Sequence, residues 1–229
     1  MSEPALIRTE SIAVRRTALV ASLGPEPAPN AGASELWYIL HGQAMRAASF
    51  LETAKVLGSG SRLLIAPEAL NRHYDGEITT RNAPVGATWM TREERESEIR
   101  DYVAYLDDVH AMIVKRFGGT SPPVTILGFS QGGATGVRWA ALGKVRIARL
   151  IVWASSLPPE VSYADLFARQ RQPRVSYVCG TKDIYITPKV LEAQHAMLRD
   201  AGVPFDALSF DGGHRLDDGA LRQLSRPKG

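Results

Sequence analysis

The 229 residues include one cysteine, Cys179. A lone thiol closes no internal disulfide, and such sparing use suits a reducing compartment. No apolar run is long enough to span a membrane, and the opening MSEPALIRTESIAVRR has no signal-peptide core. A cytoplasmic location is therefore expected. Strong charge of one sign is also missing. Lys and Arg total 27 against 24 Asp and Glu, a net of +3. The basic stretches, Arg15-Arg16 and RQRQPR (169–174), are short and lack interleaved aromatics, so they read as a solvated face and not as a nucleic-acid surface. The five histidines are scattered, with no CxxC or HxxxH pair, which argues against a metal site. There is no glycine-rich phosphate loop and no internal repeat. No cofactor is implied.

What is present is a 45% hydrophobic chain, enough for one domain over residues 1–229. ALIRTESIAV (5–14) and RTALVASL (16–23) read as two opening strands that form an edge hairpin. ELWYILHG (35–42), SRLLIAPE (61–68), PPVTILGF (122–129), ARLIVWAS (148–155), PRVSYVCG (173–180) and VPFDALSF (203–210) read as buried strands. Helical patterns fall between them. TREE (91–94) has the form of a capping box, with the Thr91 hydroxyl on the Glu94 amide and Glu94 reaching back. From there Ile99, Tyr102, Val103, Leu106, Val109, Ile113 and Phe117 recur on one face. Thr187-Pro188 opens another helix. Alternating strands and helices predict a mostly parallel sheet covered on both faces, with functional groups at the carboxyl ends of the strands.

One such end carries LGFSQGG (127–133). Gly128-Phe129-Ser130-Gln131-Gly132 fits G-x-S-x-G, a sharp strand-to-helix turn that lifts a serine hydroxyl above the sheet. The plainer alternative is a glycine-rich turn with Ser130 as helix N-cap. A nucleophilic serine needs a base. His110 and His195 fall inside helices, His73 lies in a long loop, and His41 suits tying down the loop after ELWYIL. His214 directly follows the last strand, in SFDGGHRL. An orienting carboxylate is expected between serine and histidine in the chain. Asp183 follows a strand end in GTKD, while Asp165, Glu192, Asp200 and Asp206 sit on helices or within a strand. Asp211 is the fallback. Oxyanion donors are expected from the backbone amides of Gln131 and, after His41-Gly42, of Gln43.

LHG (40–42), LGFSQGG (127–133), GTKD (180–183), GGH (212–214) and GATWMTREERESEI (86–99) together resemble the α/β-hydrolase superfamily. They are most similar to its phospholipase/carboxylesterase branch, which includes acyl-protein-thioesterase-like bacterial esterases. The resemblance implies an α/β-hydrolase fold without a large cap domain and a cofactor-free Ser130–Asp183–His214 hydrolase acting on a small ester. HGQAMRA departs from the glycine-rich continuation common in relatives, and WASSLPPE (153–160) from their serine–glycine step. Carboxylesterase action on short to medium acyl chains is the leading expectation. Thioesterase or acyltransferase action on the same triad, or a non-catalytic ligand-binding role, are the alternatives. The long stretch 67–90 reads equally as part of a substrate wall or as a plain ordered excursion packing on the sheet. Tyr74, Trp89 and Met90 would line the pocket there and Trp153 would narrow it. A homodimer is compatible with the exposed helices and edges such a fold leaves.

Overall fold

The structure, a computed structural model, describes residues 6–29, 33–76 and 82–226. In chain order its first half holds β1 (Val20–Leu23), β2 (Glu35–Leu40), α1 (Ala47–Thr53), β3 (Arg62–Pro67), β4 (Asn71–Tyr74), β5 (Val85–Thr88) and α2 (Arg95–Arg116). The second half holds β6 (Val124–Phe129), α3 (Gln131–Leu142), β7 (Arg149–Trp153), α4 (Tyr163–Arg169), β8 (Arg174–Gly180), α5 (Pro188–Asp200), β9 (Phe205–Phe210) and α6 (Asp218–Ser225).

Among the described residues seven strands form one sheet, ordered β1-β3-β2-β6-β7-β8-β9. Only β1 runs antiparallel to its neighbour; the other pairs are parallel. The chain steps outward from β2 to β3, then returns to place β6 on the other side of β2. That reversal opens a crevice between β2 and β6 at their carboxyl ends, where open α/β sheets hold their ligands. The register pairs Leu40 with Gly128. The loops leaving β2 and β6 therefore emerge side by side.

Strand alternation divides the core. Leu36, Tyr38, Leu40, Val124 and Ile126 face one side, where α2, α3 and α5 pack through Leu106, Val109, Trp139 and Leu198. Trp37, Ile39, Leu127 and Phe129 face the other, against Phe50 and Leu51 of α1 and Leu221 and Leu224 of α6. Trp139, fully buried, donates from Nε1 to Asp107 Oδ1 at 2.9 Å and so ties α3 to α2. Cys179 is buried in the first of these layers. Among the described residues no helix is long and apolar enough to cross a membrane.

Three expectations about elements need correction. Of the two opening strands only Val20–Leu23 forms; residues 6–14 pair with nothing, and Leu6, Ile7, Ile12 and Val14 stand exposed. Without a packed face, alternation alone does not hold a strand. The TREE box does not cap α2. The helix begins at Arg95 after Glu94 in left-handed backbone (φ 49°). The Thr91 hydroxyl is used in a local turn, accepting from Glu93 N at 3.2 Å, and the carboxylate that reaches back to Thr91 N is Glu98. His73, expected in a long loop, lies in a strand of the stretch 67–90. That stretch contains the two-stranded ribbon β4–β5, with residues 77–81 outside the described part.

Burial holds His41, His110 and His195 below the ordinary histidine pKa. Each binds a proton less readily in the folded than in the unfolded chain. Their contribution to stability is therefore complete above about pH 6.5, the unfolded value. It is lost as pH falls from there through the folded values. The urea midpoint is expected to drop between pH 7 and pH 5; an unchanged midpoint over that range would contradict this.

Candidate active site

Ser130 occupies the corner between β6 and α3 with φ 52° and ψ −123°, a conformation that a residue with a side chain rarely adopts. The corner is bonded from both sides: Ser130 N donates to Trp153 O at 2.8 Å and Gly133 N to Ser130 O at 2.9 Å. The flanking glycines are a steric requirement. A Cβ on Gly128 would lie 2.2 Å from Gly132 O, and one on Gly132 would lie 2.2 Å from Leu40 O. Although Ser130 sits at the N-cap position of α3, its side chain makes no capping bond. The hydroxyl is thus not spent on the helix. It lines a cavity of about 570 Å³ together with His214, Gln131, Gln43, Gly42 and Phe129.

His214 reaches that cavity from the loop after β9. Its ring lies between Phe129 (centroids 4.8 Å apart) and Tyr185 (4.7 Å). Nδ1 is 2.8 Å from Asp183 Oδ2. A carboxylate only accepts, so Nδ1 carries the hydrogen and Nε2 offers its lone pair. Asp183 sits on the loop after β8, and its side chain has no exposed surface. Burial opposes its charge, but hydrogen bonds outweigh that and hold its pKa below the usual value. Ile186 N donates to Oδ1 at 2.9 Å, His214 donates to Oδ2, and Tyr185 N donates to Oδ1 at 2.8 Å. The carboxylate stays ionised and can support a positive imidazolium. Asp211, the fallback acid, points to solvent and pairs with Lys182 Nζ at 2.6 Å.

The β2 loop supplies the facing wall. His41 is fully buried. Its Nε2 accepts from Ala69 N at 3.0 Å, so Nδ1 is the donor to Gly42 O at 2.7 Å. Both ring nitrogens are used in holding the loop. Glu68, also buried, accepts from Arg46 Nε and Arg72 Nε, each at 2.7 Å, and fixes the loop's far end. Among the described residues neither Gln43 N–H nor Gln131 N–H donates a hydrogen bond. Two unspent donors beside a serine can stabilise negative charge on a substrate oxygen.

The residues expected to form the pocket are elsewhere. Trp89 is 1% exposed, donates from Nε1 to His41 O at 2.9 Å, and packs on His41 and Tyr102 behind the loop. Trp153 is fully buried beneath the cavity, bonded to Arg215 O at 2.9 Å and packed on Phe210. Met90 faces a separate depression beside Gln43 and Gln131. Tyr74 points to solvent on the outer strand of the ribbon. The walls come instead from Met45, Ala134, Ala154, Ser155, Ser156, Tyr185 and Ile186. Apart from Ala134, which lies on α3 four residues after Ser130, these residues sit one to three positions past Gly42, Trp153 and Asp183, and that adjacency was the available signal. Among the described residues no group of three or more His, Cys, Asp or Glu is arranged to hold a metal ion.

A parallel sheet with one antiparallel edge strand, helices on both faces and a strained serine at the switch point is the α/β-hydrolase fold. Within that class the chain belongs to the FSH1 serine hydrolase family, whose model matches residues 51–217. The match includes Ser130, Asp183 and His214, and the His41–Gln43 loop precedes it. SOBER1 of Arabidopsis thaliana superposes with a TM-score of 0.63 at 20% identity, over 83% of this chain and 95% of that one. A carboxylesterase from Mesorhizobium loti gives 0.65 at 19% identity over 84% and 87%. Acyl-protein thioesterase 2 of Zea mays gives 0.64 at 15% identity over 91% and 98%. These likenesses establish the shared fold. No curated protein sequence matches the chain.

Proposed function

We propose that the protein hydrolyses carboxylic esters through an acyl-enzyme on Ser130. The observation that carries this reading is that His214, held by buried Asp183, lines the same cavity as a strained serine whose hydroxyl caps nothing. His214 Nε2 takes the Ser130 proton as Oγ bonds to the ester carbon. The carbonyl oxygen becomes an oxyanion held by Gln43 N–H and Gln131 N–H. The carbon–oxygen bond to the alcohol then breaks, and His214 returns the proton to the departing alkoxide. Water enters by the same route, deprotonated by His214, and releases the acid and Ser130. Asp183 keeps the imidazole in the tautomer this sequence requires.

The lining favours a neutral substrate of short to medium length. About 570 Å³ suits a small molecule, and none of the lining residues is Asp, Glu, Lys or Arg. Tyr185 of the lining and its neighbour Ile184, both largely exposed, extend an apolar lip at the mouth. A charged acyl group would lose hydration without finding a counter-ion. The lone buried cysteine supports a cytoplasmic location.

Initial rates with p-nitrophenyl acetate, butyrate, octanoate and the hemiester of succinate test this reading. The butyrate ester is expected to exceed the succinate hemiester in kcat/KM by at least about tenfold. Equal rates would reject the neutral-substrate reading. Turnover of butyryl thioesters but of no oxygen ester would reassign the leaving group to sulfur.

A further inference from the structure

The side chain of Gln131 does not enter the reaction above, yet it is among the most heavily bonded polar groups near the cavity. Its Oε1 accepts from Thr88 Oγ1 at 2.8 Å and from Trp89 N at 2.9 Å, and its Nε2 donates to Met90 O at 2.7 Å. The amide orientation is unambiguous, because Trp89 N only donates and Met90 O only accepts. The three bonds join the start of α3 to the end of β5, more than forty residues away in the chain.

The ribbon that Gln131 grips presses directly on the β2 loop. Ala87 N donates to Met45 O at 3.1 Å. Trp89 Nε1 bonds to His41 O. Gly86 lies so close to Ala44 that an added Cβ would be 2.7 Å from both its Cα and its carbonyl oxygen. Ala44 is itself in left-handed backbone, at φ 59°. Between His41 and Met45 the loop carries Gln43, one of the two unspent amides. A two-stranded ribbon separate from the main sheet has little stability of its own. Its position against the loop depends on such anchors.

We propose that the Gln131 side chain is a positioning residue for the oxyanion site. It clamps β4–β5 onto the β2 loop and thereby sets the separation between its own backbone N–H and that of Gln43. One residue contributes a donor by its main chain and fixes the other donor by its side chain. The described strands β4 and β5 then act on the reaction from behind the loop and not as a wall in contact with substrate. This inference rests on the reading of Ser130 as nucleophile and of the two amides as oxyanion donors.

Gln131→Met keeps the side-chain length and removes all three bonds. Active sites are first counted by stoichiometric titration with a fluorophosphonate, so that misfolded protein does not lower the apparent rate. With p-nitrophenyl butyrate, kcat per titrated site is expected to fall about 10- to 100-fold, and KM to change less than about threefold. The Ki of a trifluoromethyl ketone, which forms a tetrahedral oxyanion on Ser130, is expected to rise by the same factor as kcat falls. Thr88→Val removes a single donor to Oε1 and is expected to move both quantities in the same direction by about 3- to 10-fold. It carries the test if Gln131→Met does not fold. A fall in melting temperature with kcat per site and Ki within about twofold of wild type, in either folded variant, would overturn the proposal. If Ser130→Ala kept full activity, the nucleophile assignment itself would fail, and that result is distinct from either clamp outcome.

Discussion

Ser130→Ala is expected to lose roughly 10⁴- to 10⁶-fold in kcat/KM on p-nitrophenyl butyrate while keeping its melting temperature. The two halves of this expectation have separate physical grounds. The lost rate follows from removing the atom that forms the acyl bond. What residual hydrolysis remains would come from water in a site that still offers two amides and a base. The retained stability follows from the bonding around the elbow. Its backbone bonds to Trp153 and Gly133 do not involve the hydroxyl, and the side chain makes no helix cap. Alanine leaves no buried partner unsatisfied, so the change in stability should stay within about 0.5 kcal/mol. Rates and thermal melts on one preparation check both. A folded variant with the wild-type rate would remove Ser130 from the chemistry.

Asp183→Asn is the second large effect, and the structure specifies how it should act. Tyr185 N and Ile186 N both donate to Oδ1. An asparagine must present its carbonyl oxygen to those amides, which places its NH₂ where Oδ2 now faces His214 Nδ1. Two donors cannot face each other, so Nδ1 gives up its hydrogen and Nε2 carries it. The imidazole is then in the wrong tautomer to take a proton from Ser130. The expected cost is roughly 10³- to 10⁴-fold in kcat with little change in KM. The fold should survive, because both backbone amides keep an acceptor. Activity within tenfold of wild type would mean that His214 does not act as the base or that another carboxylate orients it.

Which parts were readable in advance follows from how local each signal is. The serine corner was legible because its constraint is short-range: Gly128 and Gly132 are written into the sequence by contacts with backbone a few ångströms away. Asp183 and His214 were legible because each follows the end of a strand, and parallel topology gathers strand ends on one edge. The pocket walls were not. Trp89 and Trp153 look like pocket material by composition. Each instead spends its indole N–H on a backbone carbonyl and packs into the core, an outcome set by tertiary contacts no spacing encodes. TREE failed for a related reason. The box is a local pattern, but Glu98, one turn later, competes for Thr91 and moves the helix start. The opening segment alternates like a strand, yet only Val20–Leu23 finds a partner, in β3. The role proposed for the Gln131 side chain depends on contacts across more than forty residues and had no sequence signature beyond its place after the serine.

The most direct test of Ser130 as nucleophile is the site of covalent labelling. The protein is treated with one equivalent of diisopropyl fluorophosphate, assayed for ester hydrolysis, and digested for peptide mass spectrometry. The expected result is one diisopropylphosphoryl group per chain, bonded to Ser130 with loss of fluoride. Activity should fall in proportion to labelling, and Ser130→Ala should take up no label. Complete inactivation with the label on another residue, or undiminished hydrolysis with Ser130 fully labelled, would contradict it.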